Sequence, residues 1–248
     1  MDLGLQGRRA AIAGASSGLG LATARALAAE GVRVAICGRD RDRIEQAAAS
    51  IDGDVVAIVA DMATTDGPAE FVAQASAALG GVDILVANAG GPPAGNFAST
   101  PYDAYPTALQ LNLLSTVALC QAAVPPMQRQ GWGRVVAITS ISVRQPIPGL
   151  ILSNTARAGV TGFLKTLALE VAGDGVTVNS VLPGSHDTDR LRSLYGGDLS
   201  GAAAATPVRA VGRPEDFGAV AAFLCSDQAR FITGSAVPVD GGANQALL

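Results

Sequence analysis

Short runs of aliphatic and β-branched residues alternate along the chain with longer, alanine-rich segments of helical periodicity. The apolar runs fall at residues 9–13, 33–37, 55–60, 84–87, 134–139, 177–182 and 236–239. Their length suits a buried strand and is too short for a helix. Between them, residues 19–30 repeat at helical spacing and close at Gly31, and residues 41–50 close at the turn made by Asp52 and Gly53. Such alternation predicts parallel neighbours, because a parallel pair needs a long crossover and the crossover is usually a helix. The expected fold is therefore α/β, a doubly wound seven-stranded parallel sheet with helices on both faces, of Rossmann type. Repeats, linkers and composition shifts are absent from the sequence, so one domain over residues 1–248 is expected. Ligands of such sheets sit beyond the strand carboxyl ends, where the strand order reverses. Candidate chemistry is accordingly sought just after each strand.

Composition agrees with a packed interior. Hydrophobic residues make up 49% of the chain and charged residues 15%, with a mean hydropathy of +0.34. The formal net charge of −4, without a basic cluster, argues against a nucleic-acid partner. Cys37, Cys120 and Cys225 are scattered, and with the single histidine, His186, they offer no zinc-like spacing. They read as small buried thiols of a reducing cytoplasm, with no metal site. Arg8 and Arg9 precede an apolar run too short for a signal-peptide core. Charges are expected to interrupt every apolar stretch before it could span a bilayer. A cytoplasmic location without a membrane partner follows as the expectation.

After the first apolar run comes Gly14-Ala15-Ser16-Ser17-Gly18-Leu19-Gly20, opening directly into a helix. Glycines permit a tight turn and let backbone N–H groups approach a pyrophosphate, whose charge the helix N-terminus stabilises. The strand–turn–helix setting is what gives the motif its meaning.

With its G-x-x-x-G-x-G spacing, the chain resembles the short-chain dehydrogenase/reductase family, and in particular 3-oxoacyl-carrier-protein reductases. Further signatures follow in order over nearly the whole length. Asp61, with Met62 beside it, follows the third strand, where members contact the adenine. Asn88-Ala89-Gly90 ends the fourth strand, and Asn112 stands where the family places a structural and catalytic asparagine. Ser140 ends the fifth strand at the catalytic-serine position. Pro183-Gly184 follows the sixth, with Thr188 where members hold the nicotinamide carboxamide. Thr233-Gly234 through Val239-Asp240-Gly241-Gly242 completes the series. The resemblance implies a nicotinamide dinucleotide bound by Gly14, Ser16, Ser17, Gly18, Leu19, Gly20, Asp61, Met62, Asn88, Ala89, Gly90, Pro183, Gly184 and Thr188. It also implies a small-molecule substrate, a mobile lid at about residues 185–210, and a homotetramer or homodimer, in which the apolar end Ala246-Leu247-Leu248 would suit a buried contact.

Two positions carry the choice of cofactor and of chemistry. At the end of the second strand, NAD-selective enzymes usually place a carboxylate for the ribose 2′-hydroxyl. Here Gly38 matches that position and Arg39 follows it. A guanidinium fits a 2′-phosphate by charge and geometry, so NADP is favoured and NAD is the alternative; Arg39 as a solvated charge beside Asp40 is the plainer reading. Family members also carry Tyr-x-x-x-Lys thirteen residues beyond the catalytic serine. Counting from Ser140 gives Ser153-Asn154-Thr155-Ala156-Arg157. Positions 153 and 157 share one helical face. The tyrosine phenol, its pKa of about 10 lowered by the lysine, supplies the family's proton. A serine hydroxyl is a far weaker acid. Arg157 keeps a fixed positive charge and a donor fork for the nicotinamide ribose but cannot cycle protons.

Substitute acids are His186, next to the expected nicotinamide, and Tyr195 in the lid, each able to touch the substrate. Gly91-Pro92-Pro93 would shape a pocket wall. Three functions remain open. One is an NADP-preferring oxidoreductase of a small carbonyl or alcohol, with Ser140, Ser153, Arg157 and Asn112 at its centre. Another is a dinucleotide-binding pseudoenzyme. The third is a non-redox lyase resembling halohydrin dehalogenases, which retain the tyrosine and lack the glycine turn.

Overall fold

In the computed structural model, which describes residues 2–247, the seven apolar runs all become strands of one parallel sheet. They are β1 (Arg9–Ile12), β2 (Arg33–Gly38), β3 (Val55–Val59), β4 (Ile84–Ala87), β5 (Gly133–Ile138), β6 (Val176–Pro183) and β7 (Ala236–Val239). The order is β3-β2-β1-β4-β5-β6-β7, so the winding reverses between β1 and β4, where Ala10 pairs with Ile84. The strand ends differ from the apolar runs by a residue at several places: ladder pairing carries β2 and β6 one residue further, and β1, β3 and β5 stop one residue short. The pairing of Pro183 with Val239 is one such extension.

The helices are α1 (Gly18–Ala29), α2 (Arg41–Ala49), α3 (Gly67–Leu79), α4 (Ala104–Leu109), α5 (Ser115–Gln130), α6 (Ile151–Val171), α7 (Asp189–Leu194), α8 (Ser200–Ala205) and α9 (Pro214–Leu224). Strand side chains alternate between two core layers, as a pleated strand buried on both faces requires. Ala10 and Ile12 of β1, with Ile84 and Val86 of β4, pack toward Leu27 of α1, Ile44 of α2 and Phe217 of α9. Ala11, Leu85 and Val135 face the opposite layer with Phe71 of α3, Leu119 of α5 and Leu164 of α6.

One expectation fails here. Residues 104–128 carry no charged side chain, and Ala104–Gln130 is apolar and long enough to cross a membrane by length and composition. This run is α4 and α5 with the wider π-turns of Gln110–Leu114 between them. Its Leu119, Ala123 and Met127 are buried in the core layer that covers the sheet, which accounts for an uncharged run of that length. At the other end of the chain Leu247 is exposed, and Leu248 lies outside the described residues.

Candidate active site

The turn after β1 is shaped for close approach. Gly14 and Gly18 both adopt φ of +59°, which L side chains avoid. A Cβ on Gly20 would stand 2.5 Å from the Gly14 carbonyl oxygen, so helix and strand meet there without room for a side chain. Asn88 Nδ2 donates to the Gly14 carbonyl at 2.9 Å, and Asn88 thus braces the turn from across the sheet reversal. Ser17 is the N-cap of α1 but its side chain makes no capping bond, and the first turn holds no acid. The leading N–H groups of α1 are left to an anion, which is the arrangement a dinucleotide diphosphate fits.

Beyond this turn lie the residues expected at the adenosine end. A Cβ on Gly38 would sit 3.1 Å from Ser16 Cβ, so the tight contact with Ser16 leaves little space for a carboxylate at this position. Arg39 is exposed. The Asp40 side chain instead accepts from the Arg43 N–H and caps α2, and Arg39 makes no ion pair among the described residues. Asp61 is half-buried, with Oδ1 accepting from the Ala63 N–H at 2.9 Å. Met62 has its side chain buried in the core layer with Phe71, so its contact with a cofactor would be made by its backbone.

A cavity of about 420 Å³ opens at the carboxyl ends of β1, β4, β5 and β6. It brings together Gly14, Ser17, Gly18 and Leu19 of the turn, Asn88, Ala89 and Gly90 after β4, Ser140 after β5, Ser153 and Arg157 of α6, and Pro183, Gly184 and Thr188 after β6. Ser140 Oγ accepts from the Ser142 N–H at 3.1 Å, which leaves its O–H free to donate to a substrate oxygen. Ser153 is half-buried, and its hydroxyl makes no hydrogen bond among the described residues. Arg157 is 9% exposed and donates from Nη1 to the Ile138 carbonyl at 3.0 Å. No carboxylate pairs with it among the described residues. Burial, and secondarily the charge of Arg190, lowers its pKa to about 10.

Asn112 stands behind this cavity. It lies in the π-turns between α4 and α5, where its Nδ2 donates to the Gly90 carbonyl at 2.9 Å. Its buried Oδ1 and the buried Thr139 hydroxyl have no protein partner. Both residues border a void of about 10 Å³ that Arg157 also lines, a space on the scale of one water.

His186 is engaged in packing. It borders the cavity, but its ring meets Phe217 of α9 edge-on, with centroids 5.2 Å apart. Nδ1 lies 3.2 Å from the Gly184 carbonyl, and Nε2 is packed against Gly212. Burial lowers its pKa from 6.5. The ring anchors the segment after β6 to α9, and its burial disfavours the imidazolium that a general acid needs. Thr188 caps α7, its Oγ1 accepting from the Leu191 N–H at 3.2 Å, with its methyl side toward Gly18. Tyr195 is 45% exposed at the cavity rim, just after α7.

Two residues on these elements escaped the sequence reading. Arg190 of α7 donates from Nη2 to the Pro92 carbonyl at 2.8 Å, across the cavity mouth. Asn154, beside Ser153, donates to the Ile147 carbonyl at 3.0 Å and accepts from the Ile147 N–H at 3.4 Å. That pair of bonds holds the loop carrying Ile147 and Leu150 into the cavity wall. Arg190 shows no sequence signal apart from its place in the lid segment, and Asn154 reads as an ordinary helix residue.

The model of a family described as enoyl-(acyl carrier protein) reductase matches residues 14–244. The chain belongs to the short-chain dehydrogenase/reductase family. It is 32% identical over 245 residues to dehydrogenase/reductase SDR family member 4 of Bos taurus, covering 96% of this chain and 88% of that one. Nodulation protein G of Rhizobium sp. (strain N33) is 34% identical over 238 residues, covering 96% and 97%. Among solved structures, L-sorbose reductase of Gluconobacter frateurii, complexed with NADPH and L-sorbose, superposes with a TM-score of 0.93 at 33% identity, covering all of both chains. Family membership makes the chain a short-chain oxidoreductase of the NAD(P)-dependent type, in keeping with its glycine turn.

Proposed function

We propose that the chain is an NADP-preferring oxidoreductase of a small carbonyl or alcohol, working through an altered active site. The observation that carries this reading is the single cavity that joins the glycine turn to Ser140, Ser153 and Arg157. A bound nicotinamide dinucleotide would supply the hydride. Ser140, with its O–H free, orients the substrate oxygen and stabilises charge developing there. Arg157 holds the nicotinamide ribose as a fixed donor fork. Ser153 replaces the phenol without its acidity, and burial keeps His186 neutral. The proton therefore comes from water ordered by Ser140 and Ser153, or from Tyr195 on lid closure.

The preference for NADP rests on the tight Gly38–Ser16 contact and the unpaired Arg39. NADPH should bind more tightly than NADH, and Arg39→Ala should narrow the gap by roughly 1–3 kcal/mol, the scale of a charged hydrogen bond. Equal affinities in the unmodified protein, measured by titration of cofactor fluorescence, would remove the NADP assignment. The lack of a strong proton donor beside Ser140 favours a second reading, a dinucleotide binder without turnover. A carbonyl panel assayed with NADPH separates the two. Assembly as a homodimer or homotetramer in the cytoplasm belongs to the same proposal, with light scattering as its test for assembly.

A further inference from the structure

The charged groups that border the cavity are Arg157, Arg190 and Asp189. Neither arginine forms an ion pair among the described residues. Arg190 reaches over the mouth to the Pro92 carbonyl, with its guanidinium 3.4 Å from where a Cβ of Gly91 would be. Two acids stand in the same segment. Asp187 pairs with Arg192 at 2.7 Å, and Asp189 is exposed and also borders the outer groove beside Arg25 and Arg192. Two guanidinium charges thus share one end of a partly enclosed cavity, and burial and mutual repulsion both act against Arg157 there.

On the functional reading above, the dinucleotide does not supply the missing anion. Its diphosphate belongs at the glycine turn and α1, and a 2′-phosphate belongs beside Arg39. The nicotinamide ring carries no negative charge, and its oxidised form is a cation. Much of the wall is aliphatic, with Ile141, Ile147, Leu150, Leu191 and Leu194. An ammonium or neutral polar group would leave both cations uncompensated, whereas a carboxylate matches the planar donor fork of arginine.

We propose that the substrate of this site is a small oxo or hydroxy acid with an apolar body, whose carboxylate is bound by Arg190 in the field of Arg157. This inference rests on the reading of the cavity as a nicotinamide and substrate site. It narrows the substrate from carbonyl compounds in general to anionic ones.

The probe is benzoate against benzamide, which share shape and differ in charge, titrated calorimetrically into protein saturated with NADP. Benzoate should bind about tenfold more tightly or better, the scale of one charged hydrogen bond. The preference should fall to about threefold or less in Arg190→Gln and persist in Arg190→Lys, with NADPH affinity unchanged in both. Equal binding of the two probes, or no binding of benzoate at about 20 mM, overturns the proposal. So does a preference that survives in Arg190→Gln. A loss of NADPH affinity in that variant would assign Arg190 to the dinucleotide and overturn it too. If the unmodified protein binds neither NADP nor NADPH, yet benzoate titrated into the ligand-free protein retains its advantage, the oxidoreductase reading fails while the carboxylate site stands.

Discussion

Replacing Arg157 with methionine should leave the stability of the ligand-free protein nearly unchanged while weakening its hold on NADPH. The guanidinium is buried without a carboxylate, and its pKa is lowered from 12.5 to about 10. At about 1.4 kcal/mol per unit, the fold disfavours the charged form by about 3 kcal/mol at neutral pH. Opposing this is the hydrogen bond to the Ile138 carbonyl at 3.0 Å, worth about 1.5–3 kcal/mol for a charged donor. Methionine fills most of the stem volume and adapts to irregular space. The opposing terms leave a net change of about 1 kcal/mol in either direction, or about 2–4 °C in Tm for a chain of this size. Breaking a compensated buried ion pair would instead cost about 3–5 kcal/mol. Differential scanning calorimetry of both proteins, with and without NADPH, distinguishes the cases. A fall in Tm of more than about 6 °C without ligand would show that the cation has a partner in the fold, and the reasoning would be wrong. NADPH affinity should fall about tenfold or more, the value of one lost charged hydrogen bond.

If the missing phenol limits carbonyl reduction, Ser153→Tyr combined with Arg157→Lys should raise NADPH-dependent turnover of simple ketones, within the range of about 10²–10⁴ typical of general acid catalysis. A crystal structure of that variant with the phenol beside Ser140, and no gain in turnover, would mean that the phenol is not the bottleneck. His186, the only histidine, has a folded-state pKa lowered by burial, so the unfolded chain takes up its proton first. Its contribution is complete above pH 6.5 and is lost as pH falls below that value. Tm should therefore drop further between pH 7.5 and 5 in the unmodified protein than in His186→Gln, and equal drops would refute the buried, neutral imidazole. The single tryptophan, Trp132, has the guanidinium carbons of Arg8 and Arg134 3.7 Å and 4.3 Å from its ring centroid, and its fluorescence can report these transitions.

Much of the architecture was legible from local pattern. Strand positions followed from short apolar runs, since a strand buried on both faces has no polar side to show. The glycine turn was legible because its positive φ values and close contacts admit glycine and little else. That Ser153 and Arg157 lie together was legible from their spacing, because a helix keeps positions four apart on one face.

What the sequence left open is where side chains point once distant segments meet. Met62 follows β3 at the expected place, yet Phe71 of α3 draws its side chain into the core. His186 follows β6 beside the cavity, and Phe217 and Gly212, distant in sequence, pack against its ring. The uncharged run at 104–128 carries the composition of a membrane span, and packing against the sheet makes part of it core. Arg190 gains its meaning from a carbonyl 98 positions earlier in the chain, and Asn88 from one 74 positions earlier. Local spacing determines backbone periodicity, because its forces act within a turn or a strand. The direction of a side chain is settled by the burial and hydrogen bonding that the sheet order imposes, and only the folded chain brings those partners within reach.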